Sequence, residues 1–110
     1  IELVVSNNDD MALGAIDACR EAGVTELPFI VGVDATPPAL ASMVEGALKG
    51  TVQNDAAGQA ASILALITAL ASGQDPAETV SLTDGTYVWL NYTTVTPENL
   101  RGFLLENEET

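Results

Sequence analysis

Three times in the first half of the chain a short apolar run passes through an Asn or Asp into a helix-like pattern: "VVSNNDDMALGAI", "IVGVDATPPAL" and "GTVQNDAAGQA". Repeated strand-to-helix alternation at this spacing has one common solution, a parallel sheet with helices on its faces. It predicts strands near 2–5, 29–33 and 50–53, and helices near 9–22, 37–47 and 56–72. The first two runs, Leu3–Val5 and Phe29–Val33, are apolar without alternation, as in buried strands, and "GTVQ" reads as a third short strand.

The helix punctuation supports this reading. Ala12, Ala15, Ile16 and Cys19 repeat at i, i+3, i+4 and i+7. Asp9 and Asp10 suit the positive end of the helix dipole, and Gly23 is a natural stop. Thr36 is expected to cap the second helix, with Pro37 at its first position, where a missing N–H costs nothing. Its apolar stripe is Leu40, Met43, Val44 and Ala47. Asp55 is expected to cap the third helix.

That third helix stands apart. Ala60, Ile63, Leu64, Leu66, Ile67 and Leu70 cover more than half of its circumference, so it needs burial on more than one side. Three short strands cannot supply that. The chain also opens on "IELVV", in the middle of a strand. Both features lead us to expect a piece of a longer protein. Beyond the third helix, Val80–Leu82 and Tyr87–Leu90 flank "TDG" and read as a hairpin. An extended segment and a short helix beginning near Pro97 close the chain.

Composition removes several classes of function. Sixteen acids face three bases (Arg20, Lys49 and Arg101), there is no histidine, and the formal net charge is −13. Such a surface repels phosphate backbones, so nucleic acid is not an expected partner. Histidine-based triads and imidazole metal sites are excluded. The lone Cys19 forms no intrachain disulfide and is expected to be a small buried hydrophobe. The longest apolar stretch, 60–71, is too short to span a bilayer.

In an open parallel sheet the ligand crevice lies outside the carboxyl ends of the strands. Here those ends carry Asn8, Asp34 and Asn54. Each could simply cap a helix. Together they offer a second possibility, a polar rim. None is basic, and neither a GxGxxG nor a GxxxxGK[ST] run is present, so phosphate and dinucleotide ligands do not fit. A neutral polyol does: a carboxylate accepts from two adjacent hydroxyls, and an amide accepts from one and donates to its neighbour. Asp9, Asp10, Asp34 and Asp55 all fall near this rim, and paired carboxylates can hydrolyse a glycoside. However, Asp10 and Asp55 occupy ordinary first-turn positions and no acid–base pair stands out, so no catalytic residue is expected.

The stretches "IELVVSNNDDMALGAIDA", "VGVDATPPALASMVEGALKGTVQNDAAGQA" and "YVWLNYTTVTPENL" resemble the galactose/glucose-binding proteins of ABC sugar transporters. The resemblance covers nearly the whole chain, and corresponds to the C-terminal part of such a protein. It implies the type I periplasmic-binding-protein fold, with two Rossmann-like α/β lobes and a sugar between them. Residues 1–54 would then be a portion of the C-terminal lobe. Residues 55–91, helix plus hairpin, would belong mainly to the N-terminal lobe, and 92–110 would return to the C-terminal lobe. Asn8, Asp34 and Asn54 correspond to sugar-hydroxyl ligands. Trp89 matches a hinge-side strand position and does not replace the family's ring-stacking aromatics. Glu2 corresponds to a carboxylate completing a calcium site, but calcium takes six to eight oxygens and the loop supplying the others is absent.

The implied function is extracytoplasmic capture of a monosaccharide such as galactose or glucose, in the periplasm or lipid-anchored at the cell surface, for delivery to an ABC permease. The chain alone would self-associate or stay bound to the missing lobe. The same fold serves the effector domains of LacI-type regulators, but those usually read "GFDD" with an "LTTV"-type strand, where this chain reads "GVDA" and "GTVQND".

Overall fold

The structure is a computed structural model that describes residues 1–108. Its elements are β1 (Leu3–Val5), α1 (Asp9–Glu21), β2 (Phe29–Val31), α2 (Pro37–Val44), β3 (Thr51–Gln53), α3 (Ala56–Ala71), β4 (Thr93–Val95) and α4 (Leu100–Glu108). A single 3₁₀ turn lies at Pro76–Glu78. The chain divides into two compact units. One comprises Ile1–Asn54 with the chain from Thr93 onward; the other is Asp55–Tyr92.

In the first unit β1 pairs parallel to β2, with Leu3 opposite Phe29 and Val5 opposite Val31. β3 continues the parallel arrangement through bridges Val31↔Gly50 and Asp34↔Gln53. Gly32 N and Asp34 N donate to Gly50 O and Val52 O at 3.0 and 2.8 Å. β4 runs antiparallel to β3, with Thr51 opposite Val95. The expected parallel trio is therefore present, and the segment read only as extended adds an antiparallel edge.

Ile16, Ile30, Leu40, Met43, Leu48, Val95 and Leu100 form the heart of the core. Helix α2 packs on both α1 and α4. Strand parity sets which side of the sheet they cover: Ile30 is buried, whereas Leu3, Val5 and Phe29 are exposed on the other face. Helices were expected on the faces of this sheet; within this unit they line one.

Two helix ends follow from glycine. Helix α1 stops at Gly23 as expected, and α2 stops short of the predicted residue 47 because Gly46 adopts φ +83°. The left-handed residue turns the chain back, so that Ala47 N and Leu48 N both donate to Ser42 O, and Ala47 and Leu48 enter the core from outside the helix. Cys19 is half-buried, not fully buried as expected, since it sits one turn from the end of α1, beyond Ala12 and Ile16, the last helix residue that is fully covered.

The second unit is loosely packed. Of the residues of α3 only Ala69 is buried, while Ile63, Leu64, Ile67 and Leu70 are exposed. The predicted hairpin shrinks to one antiparallel bridge, Thr83↔Tyr87, around the turn at Asp84–Gly85. A lone two-stranded ribbon is marginal in water and needs a third strand or a helix against its face to extend. Trp89 stands beside Tyr87, with ring centroids 5.8 Å apart, and is itself exposed. Among the described residues no helix is long and apolar enough to cross a membrane.

Candidate functional site

Asn8, Asp34 and Asn54 all lie in the first unit, at the carboxyl edge of its parallel strands. Asn8 follows β1 and Asn54 follows β3. Asp34 leaves the β2 side while still bridged to Gln53. Backbone bonds join these ends: Asp9 N donates to Val33 O at 2.8 Å and Asp34 N to Val52 O at 2.8 Å. All three side chains are half-buried, neither sealed in the core nor fully in water.

Asn8 does what a helix cap does. Its Oδ1 accepts from Met11 N at 2.9 Å. One acceptor is thus used locally, and the side-chain NH2 is left for an outside partner. Asp55 likewise caps α3, accepting from Gly58 N at 2.9 Å. Thr36 does not act as expected. It occupies the N-cap position of α2 but makes no side-chain cap; its hydroxyl donates to Asp9 Oδ2 at 3.4 Å.

Asp34 is conformationally unusual. Its φ is 119°, and Ala35 follows at φ 55°. Neither is glycine, and side-chain-bearing residues held in such regions cost on the order of 1–3 kcal/mol each. The surroundings over-determine the turn. Asp34 N is bound to Val52 O, Ala35 N donates to Thr51 Oγ1 at 3.2 Å, and Thr36 N donates to Asp9 Oδ2 at 2.9 Å. The Thr51 hydroxyl in turn donates to Asp9 Oδ1 at 2.7 Å.

Asp9 is therefore the centre of a closed network. Its side chain is fully buried, 0 % exposed, and accepts from Thr36 and Thr51. A carboxyl group survives burial only when its oxygens are matched in this way. Gly32 makes room for it: a Cβ there would overlap Asp9 Oδ1 and lie 3.3 Å from Ala12 Cβ. Sequence reasoning took Asp9 for a first-turn acid near the rim. A signal was present nonetheless, because Asp9, Ala12 and Ile16 share the stripe i, i+3, i+7 that faces the core.

Basic groups stay away from this edge. Arg20 lies in the last turn of α1, where its guanidinium is 3.7 Å from Glu45. Lys49 precedes β3 and donates to Gly46 O. Arg101 follows the antiparallel β4. All three fall toward the amino edge of the parallel strands, so the carboxyl edge offers neutral and acidic groups only. That suits hydroxyl groups and disfavours phosphate. Glu2, assigned to calcium by resemblance, is exposed, and no group of three or more His, Cys, Asp or Glu among the described residues could hold a metal ion. The residues present do not fit a calcium site by themselves.

Comparison with known proteins places the fold in a family. The D-galactose/methyl-galactoside binding periplasmic protein MglB of Haemophilus influenzae is 41% identical over 111 residues, covering 94% of this chain and 31% of that protein. A xylitol-binding protein of Mycolicibacterium smegmatis is 40% identical over 75 residues, covering 68% of this chain and 21% of that protein. The crystal structure of an ABC transporter solute binding protein from Bacillus halodurans with bound myo-inositol superposes with a TM-score of 0.81 at 39% identity, covering 96% of this chain and 34% of that one. The chain thus spans about a third of the length of the fullest of these matches. Residues 1–75 match the family described as periplasmic binding protein domain; with the strand order, helix placement and polar edge seen here, the chain belongs to that family, as part of its type I α/β fold.

Proposed function

We propose that this chain supplies one hydrogen-bonding edge of the sugar site in an extracytoplasmic solute-binding protein, which captures a monosaccharide of the galactose/glucose class and delivers it to an ABC permease. The observation that carries this is the convergence of Asn8, Asp34 and Asn54 on one carboxyl edge without a basic residue. Relatives are named for binding a galactoside or xylitol, and a solved neighbour holds myo-inositol. Adjacent hydroxyls are common to all three, and an Asp flanked by two Asn is matched to them. On this reading the protein binds its sugar and does not turn it over.

The lobes follow the same logic. Residues 1–54 and 92–110 belong to the C-terminal lobe and 55–91 mainly to the N-terminal lobe, whose remainder would cover the apolar face of α3. A second copy of the chain would serve as a substitute cover. Calcium enters this proposal only with oxygens from outside the chain, Glu2 offering at most one carboxylate.

Titration calorimetry on the natural protein that carries this chain tests the assignment, with galactose, glucose, xylitol and myo-inositol as ligands. Asp34→Ala should be the most damaging of the three single substitutions, by about 2–4 kcal/mol, because a carboxylate holding two hydroxyls loses more than one charge-assisted bond. Affinity unchanged by Asp34→Ala would remove the site from this edge.

A further inference from the structure

The three proposed sugar ligands share a neighbour that does not itself face the sugar. Asn8 is bonded in sequence to Asp9. Asp34 lies two residues before Thr36, and Asn54 three residues after Thr51. Thr36 and Thr51 are the two residues whose groups donate to the Asp9 carboxyl. One buried side chain therefore ties together the three chain segments that carry the ligands.

We infer that Asp9 is a positioning residue for sugar recognition: it holds the Asp34–Ala35 turn in its left-handed conformation and locks Asn8, Asp34 and Asn54 into a single rigid edge. This rests on the reading of those three residues as sugar ligands. The turn needs a hold, because neither Asp34 at φ 119° nor Ala35 at φ 55° would keep that conformation unaided. Asp9 reaches it twice, directly at Thr36 N and indirectly through Thr51 Oγ1 to Ala35 N.

A carboxyl group is required because its partners are all donors. An amide at this position would keep one oxygen for Thr36 N and turn its NH2 toward Thr51 Oγ1. That hydroxyl already accepts from Ala35 N. It would then face two donors, and its own proton would lose its acceptor. Asp9→Asn thus changes the polarity of the network with almost no change of volume.

The experiment uses the natural protein that carries this chain, with Asp9→Asn, Thr51→Val and Ala35→Gly made singly and Asp9→Asn/Ala35→Gly combined. Amide hydrogen exchange in the sugar-free protein comes first. Asp9→Asn should accelerate exchange at Asp34, Ala35 and Thr36 while the amides of Leu40 and Met43 in α2 keep their protection. Thr51→Val should give the same local signature and serves if Asp9→Asn fails to fold. Calorimetry with galactose, xylitol and myo-inositol follows. Asp9→Asn should weaken the bound sugar by about tenfold or more, the equivalent of one lost hydrogen bond network member. Ala35→Gly, which removes the strain at one residue, should recover part of that loss in the Asp9→Asn background and change little alone. Unchanged exchange at Asp34–Thr36 would overturn the inference. So would equal acceleration in α2, which would make Asp9 a general core residue. If the parent protein binds none of the three sugars while Asp9→Asn still releases the Asp34–Thr36 amides selectively, the hold on the turn stands and the sugar reading falls.

Discussion

Leu40 and Leu64 sit in helices of similar character, each following a short strand, yet Leu40 is 1 % exposed and Leu64 is 67 % exposed. The same contrast runs through the two units. Among the described residues every buried hydrophobe except Ala69 lies in the unit built from Ile1–Asn54 and the chain from Thr93. The unit Asp55–Tyr92 has the more uniformly apolar helix and the thinner core. Local pattern is therefore enough to form α3 but not to bury it. A helix apolar around most of its circumference needs partners on several sides, and a helix with a narrow stripe, such as α1, is satisfied by one layer.

The largest effects should come from testing that contrast directly. Leu40→Ala removes a packed side chain from the core shared by Ile30, Met43 and Val95, and should cost about 2–5 kcal/mol. Leu64→Ala should change stability by no more than about 0.5 kcal/mol. Urea titration of this chain, followed through the amide signals of α1 and α2, gives both values on one scale. If Leu64→Ala proves as costly as Leu40→Ala, α3 is packed in solution and the two regions do not differ in the way described.

A second pair of substitutions probes how tight the packed unit is. Gly32→Ala would drive a Cβ into Asp9 Oδ1 and to 3.1 Å from Asp9 Cα. Since Asp9 is held by Thr36 and Thr51, it cannot swing away without breaking the network, and a loss of about 1–3 kcal/mol is expected. Gly14, inside α1, has nothing within 4 Å of its added Cβ. Gly14→Ala should stabilise by about 0.5–1 kcal/mol, through helix propensity and a less flexible unfolded chain. Thermal unfolding should show Tm moving in opposite directions for the two alanines, and a shared direction would mean that Gly32 and α1 have room to part without loss of packing.

Much of the first unit could be read from local signals. Apolar runs placed β1 and β2, and "GTVQ" placed β3; Gly23 and the Thr36–Pro37 pair placed helix ends; Asn8 capped as its residue type suggests, as did Asp55 at the start of the second unit. What escaped were features set by distant partners. The antiparallel pairing of β4 with β3 joins Val95 to Thr51 across the whole second unit, and nothing within "TTV" specifies that partner. The burial of Asp9 depends on donors 27 and 42 residues away, so its helix-dipole reading was reasonable locally and incomplete globally. Thr36 illustrates the competition: the hydroxyl that local rules assign to its own helix is drawn to Asp9. The hairpin failed for a related reason. Val80–Leu82 and Tyr87–Leu90 have strand-like composition, but only Thr83 and Tyr87 pair, because a two-stranded ribbon alone gains too little from lengthening.

The smallest expected effect lies where the packed unit is tied off between β4 and α4. Thr96 N donates to Asn99 Oδ1 and Asn99 Nδ2 to Thr94 O, both at 2.8 Å, which fixes the turn leading into α4. Glu98 sits in this turn in full contact with water. Its pKa is held below the ordinary carboxylate value, chiefly by a hydrogen bond from the Thr96 side chain and secondarily by its own backbone N–H, against an opposing effect of desolvation. The sign follows from linkage. A carboxyl whose folded pKa lies below its unfolded value favours folding above the unfolded value, and that contribution fades as pH falls through the folded pKa. A carbon-detected titration should place the Glu98 midpoint below that of an ordinary exposed glutamate, and Thr96→Val, which removes the leading cause, should move it upward. The turn should survive the substitution, because the bonds through Asn99 use the Thr96 backbone and not its hydroxyl. A midpoint indifferent to Thr96→Val would assign the shift to the backbone of Glu98 alone, and would leave the Asn99 side chain as the link between β4 and the turn.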